Sequence, residues 1–549
     1  MTRQNLSLLS LFALLIPLAI YLIWRPYNYS GDDLQQSISI YESTYGGRFF
    51  HPAGGLFYAP ELFDEANNTI DGIPIQPRYL FEGPTSILTA RLWRATGWQD
   101  GVITPVLTLR AIMGAVGALF IYLAVYDLRK NRLIALLCSL GMATTATYWI
   151  YSTHIDQSIN MMAFIAIALY VLVHRRSARP STSTKLIVAV ILAIASFYNF
   201  TAVFTTIAFG LGIALMPQNL TLLQRVREFI IFCIFYGIII VVTIAASVAI
   251  LNSPQALIDP EFWQSVLFAG KPEYNIDILR DTFRAILGIA KSQVFYPPAT
   301  DSLQAYWDAA VTTEKAVLLA YFGIVLAVLG APFVVLIVRR RKLIQGETWL
   351  WVLLLASLLL HSIFNWFWDP GFSKYWLVPL FCLWITAALV LDHFRQTLMK
   401  WYRPALAVAV ALVAVTFAVN FLSNFLPNSQ LENSPWITIS RELAETPETA
   451  LFVSDSHPLD FHIAYFSRRN IVSAGLVSYS LSGDDIETRT SDLLDQHVAR
   501  HRAAGGDVYL YSATGDIATL AEQVGAADVE VAWEFPDLTI YRVIFSDTA

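Results

Sequence analysis

Residues 129–176 read RKNRLIALLCSLGMATTATYWIYSTHIDQSINMMAFIAIALYVLVHRR. Its two apolar runs, 133–151 and 158–174, are each long enough to cross a bilayer, since about 17–25 helical residues span the roughly 30 Å of hydrocarbon. Basic residues bracket the pair, Arg129, Lys130 and Arg132 in front and Arg175-Arg176 behind. The connection Ser152-Thr153-His154-Ile155-Asp156-Gln157 contains neither lysine nor arginine. Lys and Arg stay on the cytoplasmic side, so this stretch predicts a hairpin that crosses outward and returns. It sets the register for the rest of the chain.

Working outward, the same ruler predicts further spans near 6–24, 106–127, 186–199, 200–217, 229–251, 316–338, 347–365, 374–391 and 404–426. The first is too long for the apolar region of a signal peptide and lacks a small-residue cleavage site. Basic residues fall in alternate connections: Arg3; Arg129 to Arg132; Arg175, Arg176, Arg179 and Lys185; Arg225 and Arg227; Arg339 to Lys342; and Arg395, Lys400 and Arg403. The expectation is a polytopic α-helical membrane protein of about 11 transmembrane helices, with its N-terminus cytoplasmic and its C-terminus outside. Composition agrees. Of 549 residues 56% are hydrophobic and 14% charged, against about 25% charged in soluble domains. The net charge of −6 supplies no basic field for nucleic acid. Cys138, Cys233 and Cys382 all lie in apolar runs, too scattered for a disulfide framework or a thiolate metal site.

This register divides the chain into a membrane module, 1–426, and an outer soluble α/β domain, 427–549. Within the module, a first loop (25–105) and a second (252–315) lie outside. In the first loop, Leu34, Ile38, Ile40 and Tyr41, and then Ile87, Leu88, Leu92 and Trp93, recur at helical spacing. Both runs read as amphipathic helices on the membrane surface. The tail alternates strand-like runs at 449–454, 470–474, 507–511, 528–534 and 538–544 with helix-like runs at 436–446, 486–503 and 515–525. No glycine-rich phosphate loop follows any of these strands.

Three places carry candidate chemistry. Ser30-Gly31-Asp32-Asp33 follows the first span; adjacent carboxylates at a boundary repel, which raises the pKa of one and suits it to accept a proton or help hold a divalent cation. Helix capping explains the same residues. His154 and Asp156 occupy the outer hairpin connection, where Asp156 serves either as a cap or as a partner of Asp32. The run Trp366-Phe367-Trp368-Asp369-Pro370-Gly371-Phe372-Ser373-Lys374-Tyr375-Trp376 is an aromatic belt. Lys374 in it runs against the positive-inside bias and is placed to receive a lipid phosphate or to snorkel. Lys271, Arg280, Arg284 and Lys291 of the second loop are further phosphate partners or a solvated face, and Arg78 and Glu82 of the first loop contact a polar substrate or each other.

An acidic pair just after span one, two surface helices, many further spans and an outer C-terminal domain resemble the GT-C superfamily of polyprenyl-phosphate-sugar-dependent glycosyltransferases. The likeness is to the protein O-mannosyltransferase and lipid A aminoarabinose transferase branch. Asp32-Asp33 stands where that branch has its Asp-Glu-type pair, Glu82-Gly83-Pro84 where it has Lys-Pro-Pro, and Lys374-Tyr375-Trp376-Leu377-Val378-Pro379 is similar to its Lys and Tyr-x-x-Pro run. Leu34-Gln35-Gln36 replaces the Arg-Tyr that commonly follows the pair. The topological likeness covers about residues 1–400.

The resemblance implies inverting transfer of a sugar from a polyprenyl-phosphate donor to a glycan, lipid or protein acceptor at the outer face of a bacterial inner or plasma membrane. Asp32 or Asp33 is then the base, and Asp156 a second acidic residue of the site. Lys374, His154, Arg78 and Glu82 are its candidate donor-binding residues. Partners are the lipid-linked sugar, its acceptor and membrane lipids, with no nucleic acid. Some GT-C enzymes use a divalent metal and others do not; Mg or Mn on Asp32 and Asp156 is the cofactor to consider. The rival classes are a flippase for lipid-linked saccharides, which places ionisable groups within its spans and often shows repeated halves, and a non-catalytic assembly scaffold.

Overall fold

The structure, a computed structural model, describes residues 8–27, 34, 37, 50–51, 56–57, 81–98, 101–176, 180–217, 219–251, 278–294, 323, 330–332, 334–335, 337–338, 347–370, 372–455, 459–474, 486–512, 515–536 and 538–546. Asp32, Asp33, Arg78 and most of the 316–338 span lie outside the described residues. By contacts the chain forms two compact units: Met1–Arg25, Ile75–Thr85 and Thr104–Pro427 in one, and Pro26–Pro74, Ser86–Ile103 and Asn428–Ala549 in the other.

The helices in chain order are α1 (Leu8–Ile23), α2 (Glu82–Ala95), α3 (Ile103–Arg129), α4 (Arg132–Ala143), α5 (Ala146–Thr153), α6 (Ser158–His174), α7 (Thr182–Tyr198), α8 (Ala202–Leu215), α9 (Leu222–Leu251), α10 (Ile278–Gln293), α11 (Thr348–Trp368), α12 (Leu377–Thr397) and α13 (Met399–Asn420). Among the described residues five helical stretches are long and apolar enough to cross a membrane: Ile103–Arg129, Leu222–Ser247, Thr348–Trp368, Ser373–Thr397 and Met399–Asn428. The pair α4 and α5, bent by 66°, makes a sixth. The shorter apolar helices α1, α6, α7 and α8 coincide with the remaining expected spans other than 316–338. These helices mark an integral membrane protein.

The hairpin at 129–176 shows how local chemistry sets the boundaries. Asn131 caps α4, its side chain accepting from the Leu133 and Ile134 amides at 3.1 Å each. The apolar run is then interrupted at Thr144-Thr145: Thr145 leaves helical geometry and caps α5 through Tyr148 N. A break inside a membrane strands carbonyls that no water can satisfy. Asn420 resolves this one from across the unit, its amide donating to Thr144 O at 2.8 Å and to Gln293 O at 3.2 Å. Around the break Trp149 stacks on Phe425 at 4.0 Å between centroids. Trp384 fills the space beside Gly141, which a side chain there would occupy.

The second unit is built on a seven-stranded sheet of order β1-β2-β4-β3-β5-β7-β6. Its strands are β1 (Phe50–His51), β2 (Leu56–Phe57), β3 (Leu451–Ser454), β4 (Asn470–Ser473), β5 (Val508–Tyr511), β6 (Asp528–Phe535) and β7 (Leu538–Ile544). The central β4, β3 and β5 run parallel, with Leu451 opposite both Asn470 and Val508. Parallel strands are covered on both faces, and every residue of these three is buried. The helices Ile486–Ala503 and Ile517–Gln523 supply Leu494, Val498 and Leu520 to one face. The antiparallel β6 and β7 finish one edge, where Asp528, Glu530 and Glu534 of β6 discourage pairing with another chain. At the other edge β2 of the first loop pairs antiparallel with β4.

Candidate functional site

The site is built from the two connections singled out by sequence. After α5 the chain turns extended at His154, whose amide donates to Ile150 O at 2.9 Å. Asp156 follows, and its Oδ1 accepts the Ser158 amide at 2.6 Å, two residues on. Such an Asx turn starts a helix without a side-chain cap at Gln157 itself. The capping explanation of Asp156 therefore holds, and it leaves Oδ2 available.

That second oxygen accepts from Lys374 Nζ at 2.6 Å. Lys374 sits on a single 3₁₀ turn, Ser373–Trp376, that leads into α12. The turn is pinned from several sides. Asn365 Nδ2 donates to Tyr375 O at 2.7 Å and Trp376 Nε1 to Pro370 O at 3.1 Å. Helix α10 packs on the same connection: Trp366 Nε1 reaches Thr282 Oγ1 at 3.2 Å, and Ser292 Oγ reaches Ser373 O at 3.3 Å. Gly288 allows this approach, because a Cβ there would run into Pro370 O and the Trp376 indole.

The electrostatics follow from the burial. Asp156 and Lys374 keep 16% and 11% of their side-chain exposure. Burial alone pushes the Asp156 carboxyl up, but the Lys374 ammonium and the Ser158 hydrogen bonds outweigh it and hold the group below the usual carboxylate range. Of the second-loop cations, Arg284 Nη2 lies 3.3 Å from Asp369 Oδ1 and Arg280 Nε 3.2 Å from Asp281 Oδ1. Burial lowers the Lys291 ammonium, and Asp369 partly restores it. These cations line a structured helix that bears on the 366–376 connection.

Of the sequence candidates, the structure joins Asp156 to Lys374 and places His154 two residues away, its side chain partly exposed. Glu82 opens α2, and Asp32, Asp33 and Arg78 lie outside the described residues. Two contributors were not among the site candidates read from the sequence, Ser158 and Asn199, the latter met there only as a span boundary and an Asn-x-Thr triplet. Asn199 Nδ2 donates to Ser158 Oγ at 3.4 Å, and its Oδ1 accepts from the Thr201 hydroxyl at 2.8 Å. The signal was the Asn199-Phe200-Thr201 triplet, a turn that closes on itself. In this arrangement one Asp156 oxygen accepts an amide and the other an ammonium. Among the described residues no group of three His, Cys, Asp or Glu residues is arranged to hold a metal.

No protein-family model matches the sequence, and no curated protein does. Solved structures do resemble the fold. ArnT from Cupriavidus metallidurans, crystallised with undecaprenyl phosphate, is 11% identical with a TM-score of 0.55, covering 98% of this chain and 98% of its own. Its apo form is 10% identical at the same TM-score, covering 97% of each. The Archaeoglobus fulgidus oligosaccharyltransferase tethered to an acceptor peptide is 13% identical with a TM-score of 0.50, covering 93% of this chain and 69% of that one. At such identities the likeness is one of fold. The chain has the fold of the GT-C glycosyltransferases.

Proposed function

We propose that the protein is a membrane glycosyltransferase that moves a sugar from a polyprenyl-phosphate donor to an acceptor hydroxyl at the outer membrane face, with inversion. The observation that carries this reading is the Asp156–Lys374 pair, which ties the 154–157 connection to the 366–376 connection, in a chain of GT-C fold. A lysine held there by a carboxylate offers a fixed positive charge to a lipid phosphate at the depth where a polyprenyl chain leaves the bilayer. A phosphate arriving beside Lys374 competes with Asp156 for the ammonium.

In the reaction, Asp32 or Asp33 takes the proton of the acceptor hydroxyl. The freed oxygen attacks the anomeric carbon from the side opposite the phosphate, and the carbon–oxygen bond to the phosphate breaks. Its electron pair stays on the departing polyprenyl phosphate, where the Lys374 charge stabilises it. The lipid explains the architecture: its chain needs the bilayer while its sugar needs polar loops.

The test is a donor screen with the purified full chain, polyprenyl-phosphate sugars and candidate acceptors. Free polyprenyl phosphate should appear together with glycosylated acceptor. Movement of the intact lipid-linked sugar across vesicles without either product would replace this reading with a flippase. The Asp32→Asn/Asp33→Asn double variant should insert in the membrane and transfer nothing; full transfer by it would remove the assigned base.

A further inference from the structure

Away from the candidate site, helices α4, α12 and α13, with Ala331, Pro332 and Val335, line a half-open hollow of about 370 Å³. Ile134, Cys138, Val335, Trp384, Phe394 and Ala409 are among its walls, and among the described residues none in the lining is charged. The indole N–H of Trp384 is already engaged, Nε1 donating to Gln293 Oε1 at 3.2 Å. Water gains nothing in such a space, since it needs two to four polar partners. An aliphatic chain does, and the volume lies in the range of specific ligand pockets, about 300–1,000 Å³.

One end of the hollow is marked by charge. Arg132 precedes Ile134 by two residues, Arg403 precedes Ala405 by two, and Arg395 directly follows Phe394. All three wall helices thus carry an arginine within two residues, or about 3 Å of helical rise, of their last lining residue at that end. Arg395 is held through Nε by Asp392 at 2.9 Å. Arg132 and Arg403 are exposed and form no ion pair among the described residues. Lys374 is twenty residues before Phe394 in the sequence, so the arginine end lies roughly 30 Å of helical rise from the candidate transfer site. A phosphate seated on these arginines is therefore well separated from Lys374.

We propose that this hollow is a binding site for an anionic phospholipid, with one acyl chain between α4, α12 and α13 and its phosphate on Arg132 and Arg403. A basic rim over an apolar interhelical slot is the arrangement that selects anionic headgroups on the cytoplasmic side of membrane proteins. Long arginine side chains reach from their own helical positions to the rim. The site is independent of the transferase reading.

Trp384 provides the probe. The full chain and its Trp384→Phe variant are placed in phosphatidylcholine vesicles carrying, at equal mole fraction, brominated phosphatidylglycerol or brominated phosphatidylcholine. The Trp384 share of the fluorescence, taken by difference, should be quenched at least threefold more by the anionic lipid. Arg132→Gln/Arg403→Gln should abolish that preference and Arg132→Lys/Arg403→Lys should keep it, while Ala409→Phe, which fills the hollow, should reduce quenching by both lipids. A second measurement needs no variant: lipid extracted from the detergent-purified wild-type chain, after exchange against an equimolar mixture of the two phospholipids, should be enriched in the anionic one. Equal quenching and equal retention of both lipids overturn the proposal, as does a preference that survives loss of both charges.

Discussion

Lys374 Nζ lies 2.6 Å from Asp156 Oδ2 and joins two short connections that are 218 residues apart in the chain. The pair is nearly buried, so removing either partner leaves a charge in poor surroundings, at a cost of about 3–5 kcal/mol. It therefore contributes to folding whatever else it does. Separating that contribution from a role in transfer requires a variant that restores one without the other.

Lys374→Gln should lower sugar transfer about 10²–10³-fold, the usual effect of removing one group that stabilises developing negative charge. The exchange Asp156→Lys/Lys374→Asp rebuilds an ion pair with its charges reversed. It should recover the ion-pair part of the thermal stability, though not the part from the Ser158 amide bond to Asp156, and should not recover transfer, measured as polyprenyl phosphate released per unit of folded protein. Recovery of both would reduce the pair to a structural clasp.

The pH dependence of that pair has a defined sign. The folded carboxyl titrates below its ordinary value, so the unfolded chain takes up the proton first. The contribution is complete above about pH 3.9 and disappears only as pH falls through the lower folded value. Protonation of Asp156 should accordingly cause no loss of stability between pH 5 and 7, checked by thermal unfolding in detergent.

Lys185 and Glu228 form a buried ion pair between α7 and α9. Glu228→Gln alone should destabilise the protein by about 3–5 kcal/mol, because it strands the ammonium. Lys185→Met/Glu228→Leu should be neutral or stabilising. Thermal unfolding of the three proteins in one detergent measures the difference.

Asn420→Leu removes the donors to Thr144 O and Gln293 O. Each unsatisfied carbonyl costs about 1–3 kcal/mol, so the variant should unfold earlier than Asn424→Leu, whose amide makes neither bond. Size-exclusion survival after heating provides the readout.

In the tail, His501 is buried with Nδ1 donating to Thr449 O at 3.1 Å. Burial holds its pKa down, and that hydrogen bond only partly offsets the effect. Here the unfolded chain binds the extra proton, so stability is complete above about pH 6.5 and declines as pH falls below it. Hydrogen exchange of the 499–506 backbone should quicken between pH 7 and 5, after correction for the intrinsic rate, and a His501→Gln variant should flatten the trend.

The sequence by itself determined what depends on local pattern. Helix α6 begins and ends where the apolar run does, at Ser158 and His174, because a polar connection precedes it and Arg175 follows. The strands of the tail also fall where period and turn residues place them, and both partners of the Asp156–Lys374 pair were visible as polar residues in short connections between apolar runs. Their union was not, since nothing in either connection refers to the other. Only the tertiary structure decided the 66° break within the second half of the expected 133–151 span. Thr144 and Thr145 are tolerable within a continuous apolar helix; the bend is accommodated by Asn420, 276 residues on. It likewise decided that β2, two residues long, extends the sheet of the tail, because a strand that short has no period to read. Burial in a membrane follows from local composition, whereas partners for stranded polar groups come from wherever packing brings them.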